Sequence, residues 1–143
     1  MPGFFHVGAR GVDGCAVFRE PDHRVLFLRV LALAARDTTL IVRAFCLMTT
    51  HYHLVVEAPK PTRSVALQRL NGRYAQPFNE HHERSRHLFG GRFWADLIES
   101  DEQFEKVCAY VVNNPVRAGL VAHWRAWPWA RYSPKGSCLR GTG

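Results

Sequence analysis

Two histidines one residue apart, His51 and His53, head the segment HYHLVVE. In an extended strand, residues two apart project from the same face, so both imidazoles share a side with Val55. Two imidazoles placed this way can meet one metal ion. They do not complete a site, and a His-x-His pair also occurs as two ordinary hydrogen-bonded strand residues. A second pair, Tyr110 and Asn114, is four residues apart and shares a helical face. Phe104, Val107, Cys108, Val111 and Val112 mark the buried side of that helix, which leaves Tyr110 on a polar flank with Gln103, Lys106 and Asn114. Tyr110 reads equally as a boundary residue with its hydroxyl in water. Asn114, just before Pro115, reads equally as a helix C-cap.

The elements that must position these residues follow from periodicity and punctuation. Residues 4–10 mix aromatic, β-branched and small side chains ahead of Gly11 and Gly14, and predict a first strand. Pro21 and Asp22 open a helix in which Val25, Leu28, Leu31 and Ala35 keep the three-and-four spacing. Residues 40–48 (LIVRAFCLM) are almost wholly apolar and predict a strand buried on both faces. Residues 52–57 predict a third strand, paired antiparallel across the short gap at Thr49 and Thr50. A second helix over residues 64–78 places Leu67, Leu70, Tyr74 and Phe78 on its apolar side, with Arg63, Arg69 and Arg73 on the other. Residues 81–86 read as a polar loop and 93–99 as a fourth strand. Ser100 followed by Gln103 is a capping box opening a helix that ends before Pro115. The stretch rich in Trp, Pro and Gly from about residue 121 is expected to pack over the body without regular structure.

The order β-α-β-β-α-β predicts an α+β fold: a ferredoxin-like or RNA-recognition-type sandwich with a four-stranded antiparallel sheet and helices on one face. One C-terminal helix is added, and residues 1–143 form a single domain. Such a fold leaves a sheet face free for a site but assigns no chemistry.

The composition sets outer bounds. The 143 residues are 47% hydrophobic and 22% charged, which excludes a mainly disordered chain. Nineteen Lys and Arg against twelve Asp and Glu give a net charge of +7, and only Lys60, Lys106 and Lys135 are lysines. Arginine forks match phosphates and stack on bases, so the balance leans towards nucleic acid, although an Arg-favouring genome gives the same composition. No apolar run approaches a membrane span, and no secretory signal is read at the N-terminus, so a cytoplasmic, nucleoid-associated protein is expected. Cys15, Cys46, Cys108 and Cys138 form no Cys-x-x-Cys pair, which excludes the usual structural zinc sites. Cys46 and Cys108 read as small core residues.

On a basic domain the two pairs suggest one arrangement. A final helix laid across the free sheet face would bring Tyr110 beside the histidines. His51, His53 and the Asn114 amide oxygen would then hold a divalent ion with positions open for water and a phosphate. The ion would polarise the phosphate, and the tyrosine hydroxyl would attack phosphorus. A phosphotyrosine diester keeps the bond energy, so a free 3′-hydroxyl can reseal the strand without ATP.

The blocks FHVGARG, AFCLMTTHYHLVVE, LNGRYAQPFNEHH, HLFGGRF, YVVNNPVRAGLV and WPWARYS cover nearly the whole chain. In order and spacing they resemble the one-tyrosine transposases of single-stranded DNA with a His-hydrophobic-His (HUH) motif, especially the REP-associated tyrosine transposases. The resemblance implies that His51 and His53 are the paired metal ligands, Tyr110 the nucleophile and Asn114 a candidate third ligand. It implies cleavage and rejoining of single-stranded DNA at hairpin-bearing REP-like or element-end sequences, with Mg²⁺ or Mn²⁺, through a 5′-phosphotyrosine. The chain departs from the family at Thr49-Thr50, where Pro-Asn is usual, and places Tyr52 between the histidines, pointing to the opposite face. In related enzymes of the broader class a partner subunit can supply the tyrosine helix, so monomer and homodimer both stay open.

Candidate DNA contacts are Arg10, Arg69, Arg73, Arg92 and Arg117, since guanidinium groups near aromatics suit single strands. Trp124, Trp127 and Trp129 read as a small satellite core anchoring the tail. His6 could approach the metal face but reads first as a buried, hydrogen-bonded histidine. His81, His82 and His87 read as loop residues. Two other classes stay open: a non-catalytic single-stranded nucleic-acid binder or relic, indifferent to Tyr110→Phe, and a phosphodiesterase whose metal activates water, which survives Tyr110→Phe but not His51→Ala.

Overall fold

The computed structural model describes residues 3–81, 88–90 and 93–132. Strand β1 (Gly3–Arg10) leads through a single 3₁₀ turn to helix α1 (Pro21–Thr38), and strands β2 (Ile41–Leu47) and β3 (His51–Ala58) follow. Helix α2 (Lys60–His81) returns to strand β4 (Trp94–Ile98), and helices α3 (Asp101–Val112) and α4 (Asn114–Arg117) precede strand β5 (Ala130–Tyr132). The strands make one antiparallel sheet in the order β4-β1-β3-β2-β5. Its first four strands keep the expected ferredoxin-like order.

Alternation sorts the side chains into two cores. Phe5, Val7, Tyr52, Leu54 and Val56 face Phe27, Leu31, Leu67, Leu70 and Tyr74 of α1 and α2. Tyr52 donates to Asn71 Oδ1 at 2.6 Å and Tyr74 donates to the Val17 carbonyl, so both hydroxyls in this core are satisfied. Ala44, Cys46, Met48 and Val55 point the other way, against Phe104, Cys108, Val111 and Val112 of α3. Alternation lets β2 contribute to both cores, as its apolar sequence predicts, and a register shift between Val42 and Ala44 puts Val42 on the face of Phe45 and Leu47. Cys46 and Cys108 are fully buried and unbridged, and burial pushes both thiols up to about 12.

Two features differ from expectation. The sheet has a fifth strand, because Ala130–Tyr132 pairs with β2 and covers its edge. Three residues directly after Trp129 are too short for a period of two to register in the sequence. Helix α2 also begins earlier than residue 64 and runs through His81, so His81 belongs to the helix and not to a loop. His82, His87, Cys138 and Arg92 lie outside the described residues, as does the side chain of Phe78. The tryptophans anchor the tail as expected: Trp127 Nε1 donates to the Leu47 carbonyl at 3.0 Å, and Arg24 lies over the rings of Trp127 and Trp129. Among the described residues no helix is long and apolar enough to cross a membrane.

Candidate active site

Strand β3 carries His51 and His53 on the face opposite α1 and α2, with Tyr52 turned into the main core between them. The two rings lie 5.0 Å apart, nearly perpendicular, and His53 is only 5% exposed. Burial pushes the His53 imidazole down to about 3, with His51, His6, Arg10 and Arg117 adding to the shift. Burial, with Arg10 beside it, holds His51 at about 4. Both rings are therefore neutral near pH 7, which is the form that ligates metals. His53 Nδ1 lies 3.0 Å from His6 Nε2, and His51 Nδ1 lies 3.1 Å from Thr50 Oγ1. With each Nδ1 engaged, Nε2 is the atom left to each ring for an ion.

The neighbouring strands complete the floor. His6, Gly8 and Arg10 of β1 share the His53 face, because Gly8 pairs with His53 and Arg10 with His51. Across β1, Gly8 also pairs with Trp94 of β4. The indole approaches so closely that a Cβ at Gly8 would lie 2.3 Å from Trp94 Cζ2 and 2.4 Å from the Tyr52 carbonyl oxygen. Glycine is thus what lets Trp94 stand 5.5 Å from the His53 ring centroid. Arg10 lies over the same indole, 5.8 Å from its centroid.

Helix α3 closes one side. Ser100 Oγ accepts from the Gln103 N–H at 3.0 Å, the cap expected from sequence, and fixes where the helix starts. Packing Phe104, Cys108 and Val111 on the sheet then turns Tyr110, 51% exposed, towards the histidines. Its ring centroid is 6.3 Å from His53 and 6.2 Å from His6, edge-on to both. The helix stops at Asn113, whose amide Nδ2 donates back to the Ala109 carbonyl at 2.9 Å. The C-cap is therefore Asn113 and not Asn114. Pro115 sits in the first turn of α4, and that short helix brings Arg117 over the Tyr110 ring.

The structure gathers His51, His53 and Tyr110, with Arg10 and Arg117 at their rim. Asn114, half-buried, opens α4, and its carbonyl accepts from the Ala118 N–H at 3.0 Å. Arg69 and Arg73 belong to α2, in the layer on the other face of the sheet, and Arg73 pairs with Asp37 at 3.9 Å. His6, Trp94 and Gly8 also line the site. His6 is hydrogen-bonded as expected, but its partner is His53. Trp94 and Gly8 read only as strand residues; the available signal was a lone glycine in one strand facing an aromatic in another.

Residues 16–114 match the sequence profile of the IS200-like transposases. The chain belongs to this family. A Haemophilus influenzae protein described as a REP-associated tyrosine transposase is 25% identical over 100 residues, which cover 62% of this chain. The chain spans 57% of that relative's length, just over half. Among solved structures, a REP-associated tyrosine transposase bound to a REP hairpin superposes with a TM-score of 0.69 at 18% identity, covering 90% of this chain and 75% of that one. A Deinococcus radiodurans protein described as a transposase gives 0.56 at 18% identity, over 79% of this chain and 91% of its own. Both structures share the fold.

Among the described residues no three His, Cys, Asp or Glu side chains form a ready-made metal cage. The donor set is instead two neutral imidazoles with their Nδ1 atoms already held. Such a pair fits a divalent ion that draws its other ligands from oxygen, such as the Asn114 amide, water and a substrate phosphate.

Proposed function

We propose that the chain is a metal-dependent endonuclease and strand transferase for single-stranded DNA. In this reading it acts at hairpin-bearing ends through a 5′-phosphotyrosine. The observation that carries the reading is the approach of the Tyr110 ring to His53 within one chain, 6.3 Å between centroids, on a helix packed into that chain's own core. The phenol oxygen is the only nucleophile of tyrosine, and the adjoining imidazoles are held in the neutral, ligating form. Membership of the family and the net charge of +7 support DNA as the partner. A hairpin of the REP type is supported by the solved relative bound to one.

His51 and His53, with Asn114 as third ligand, would hold Mg²⁺ or Mn²⁺. When bound, the ion would supply Lewis-acid polarisation of the scissile phosphate. Tyr110 Oη forms a bond to phosphorus and gives up its proton. The bond from phosphorus to the 3′ oxygen breaks, and that oxygen leaves as a 3′-hydroxyl after taking a proton. The 5′ end stays on Tyr110 as a diester. A second 3′-hydroxyl reverses the step, attacking phosphorus and returning the tyrosine. Arg10 and Trp94 flank the histidines as a guanidinium for phosphate and a ring on which a base can stack. One chain supplies both the histidines and the tyrosine, so the site is complete without a residue from a second copy, and the protein acts in the cytoplasm at the nucleoid.

Incubating labelled hairpin DNA with the protein and Mn²⁺ tests this reading. Strand cleavage should need metal and disappear in His51→Ala and in Tyr110→Phe. Cleavage that survives Tyr110→Phe but not His51→Ala would mean a water nucleophile. Binding without cleavage by any form, across hairpins and both metals, would mean a binding module or a relic.

A further inference from the structure

Tyr110 is exposed over half its surface, and no core residue holds its ring. Its ring neighbours His6 and His53 meet it edge-on at 6.2 and 6.3 Å between centroids, too far apart to fix its rotamer. Among the described residues the close partner of the ring is Arg117. The guanidinium carbon lies 3.8 Å from the centre of the Tyr110 ring, and Arg117 Nη2 donates to the Tyr110 carbonyl at 2.7 Å. One planar cation thus grips residue 110 at both ends, covering a face of the phenol and capping its backbone oxygen.

The chain is built to make this contact. Helix α3 ends at Asn113, with φ −86° and ψ 4°, and Pro115 has no N–H with which to continue the ladder. The short turn of α4 that follows carries Arg117 back over the last turn of α3. Seven residues along a straight helix would put Arg117 two turns beyond Tyr110. The break folds it onto the ring.

We propose that Arg117 is a positioning residue for Tyr110, holding the phenol in the orientation from which its oxygen reaches the phosphate. The proposal rests on the reading of Tyr110 as nucleophile. A side chain free to sweep through solvent is rarely in line with a scissile bond, whereas a ring covered on one face by a guanidinium is already near its attacking position. The flat fork does two jobs that a lysine ammonium cannot combine, stacking face-on and donating sideways.

The test compares Arg117→Lys with the unaltered chain on the same hairpin DNA and Mn²⁺, alongside Tyr110→Phe. Positioning predicts that Arg117→Lys keeps DNA affinity within about threefold but forms the covalent adduct at least about tenfold more slowly at saturation. A readout independent of activity is the ¹⁹F resonance of 3-fluorotyrosine at position 110, assigned by its loss in Tyr110→Phe. It should shift and sharpen towards the free-rotor limit in Arg117→Lys. An unchanged resonance and adduct rate would overturn the proposal, and so would a loss confined to DNA affinity, the mark of a simple phosphate contact. If Tyr110→Phe still cleaves, the nucleophile reading fails separately, and the fluorine resonance alone decides whether Arg117 holds the ring.

Discussion

His6 Nε2 lies 3.0 Å from His53 Nδ1, joining adjacent strands β1 and β3 through two imidazoles whose rings are nearly parallel, 22° apart. The contact fixes which nitrogen of His53 stays free and how its ring is turned. Removing such a partner from a metal-bound histidine typically weakens the metal by about 10- to 100-fold. His6→Ala should therefore lower Mn²⁺ affinity by that order in calorimetry, and His6→Gln, which can still hydrogen-bond, should recover part of it. Equal affinity in all three proteins would remove His6 from the site.

Gly8→Ala should be destabilising in a way that can be located. Its Cβ would meet the Trp94 ring at 2.3 Å and the Tyr52 carbonyl at 2.4 Å, and the carbonyl belongs to the central strand and cannot swing aside. Overpacking of this kind costs about 1–3 kcal/mol. Urea unfolding should show the loss, and the tryptophan emission should shift as Trp94 is pushed towards solvent. A stability within 0.5 kcal/mol of the unaltered chain would show that the strands can part at this point (about the size of a neutral surface change).

Acid should loosen the metal-free protein before its carboxylates matter. His51 and His53 titrate at about 4 and about 3 in the fold, against 6.5 for an ordinary imidazole, because burial disfavours their charged forms. Between these values the unfolded chain binds protons that the folded chain excludes, so stability falls as pH drops below about 6.5. Above pH 7 neither group contributes a slope. Urea midpoints should be level from pH 8 to 7 and fall from pH 6.5 to 4.5, with the fall reduced in His53→Gln. A midpoint unchanged down to pH 5 would contradict the burial of these rings.

The arginines should divide by layer. Arg10 borders the histidines and lies over Trp94, whereas Arg73 pairs with Asp37 and sits with Arg69 on the α2 side of the sheet. Arg10→Ala should slow cleavage of bound DNA. Arg69→Ala and Arg73→Ala should alter hairpin affinity at most, leaving the rate at saturating DNA unchanged. A rate loss in Arg73→Ala as large as that in Arg10→Ala would mean that the two faces are not separate.

Much of this arrangement was legible because it rests on short-range periodicity. A period of two put His51 and His53 on one face, and a helical period put Tyr110 on the flank of α3 beside the packed side. The N-cap at Ser100 set the phase of that helix, with the Gln103 side chain reaching back to the Glu99 N–H and not to that of Ser100. What escaped depends on which strands become neighbours. Trp94 joins the site because β4 pairs with β1, and Gly8 matters because an indole crosses above it; neither fact is local. His6 was recognised as hydrogen-bonded, but only the pairing of β1 with β3 identifies its partner. Asn114 shows the opposite failure. Its four-residue spacing from Tyr110 suggested one continuous helix, whereas the chain turns at Asn113, so a shared face cannot be assumed.

The most direct test of the central claim is the intact mass of the protein after incubation with a hairpin DNA and Mn²⁺, followed by peptide mapping of any adduct. The expected result is a mass increase equal to the 5′-phosphorylated fragment less one water, carried on the peptide containing Tyr110 and absent without metal. DNA cleaved with no mass added to the protein, or an adduct on another residue, would contradict it.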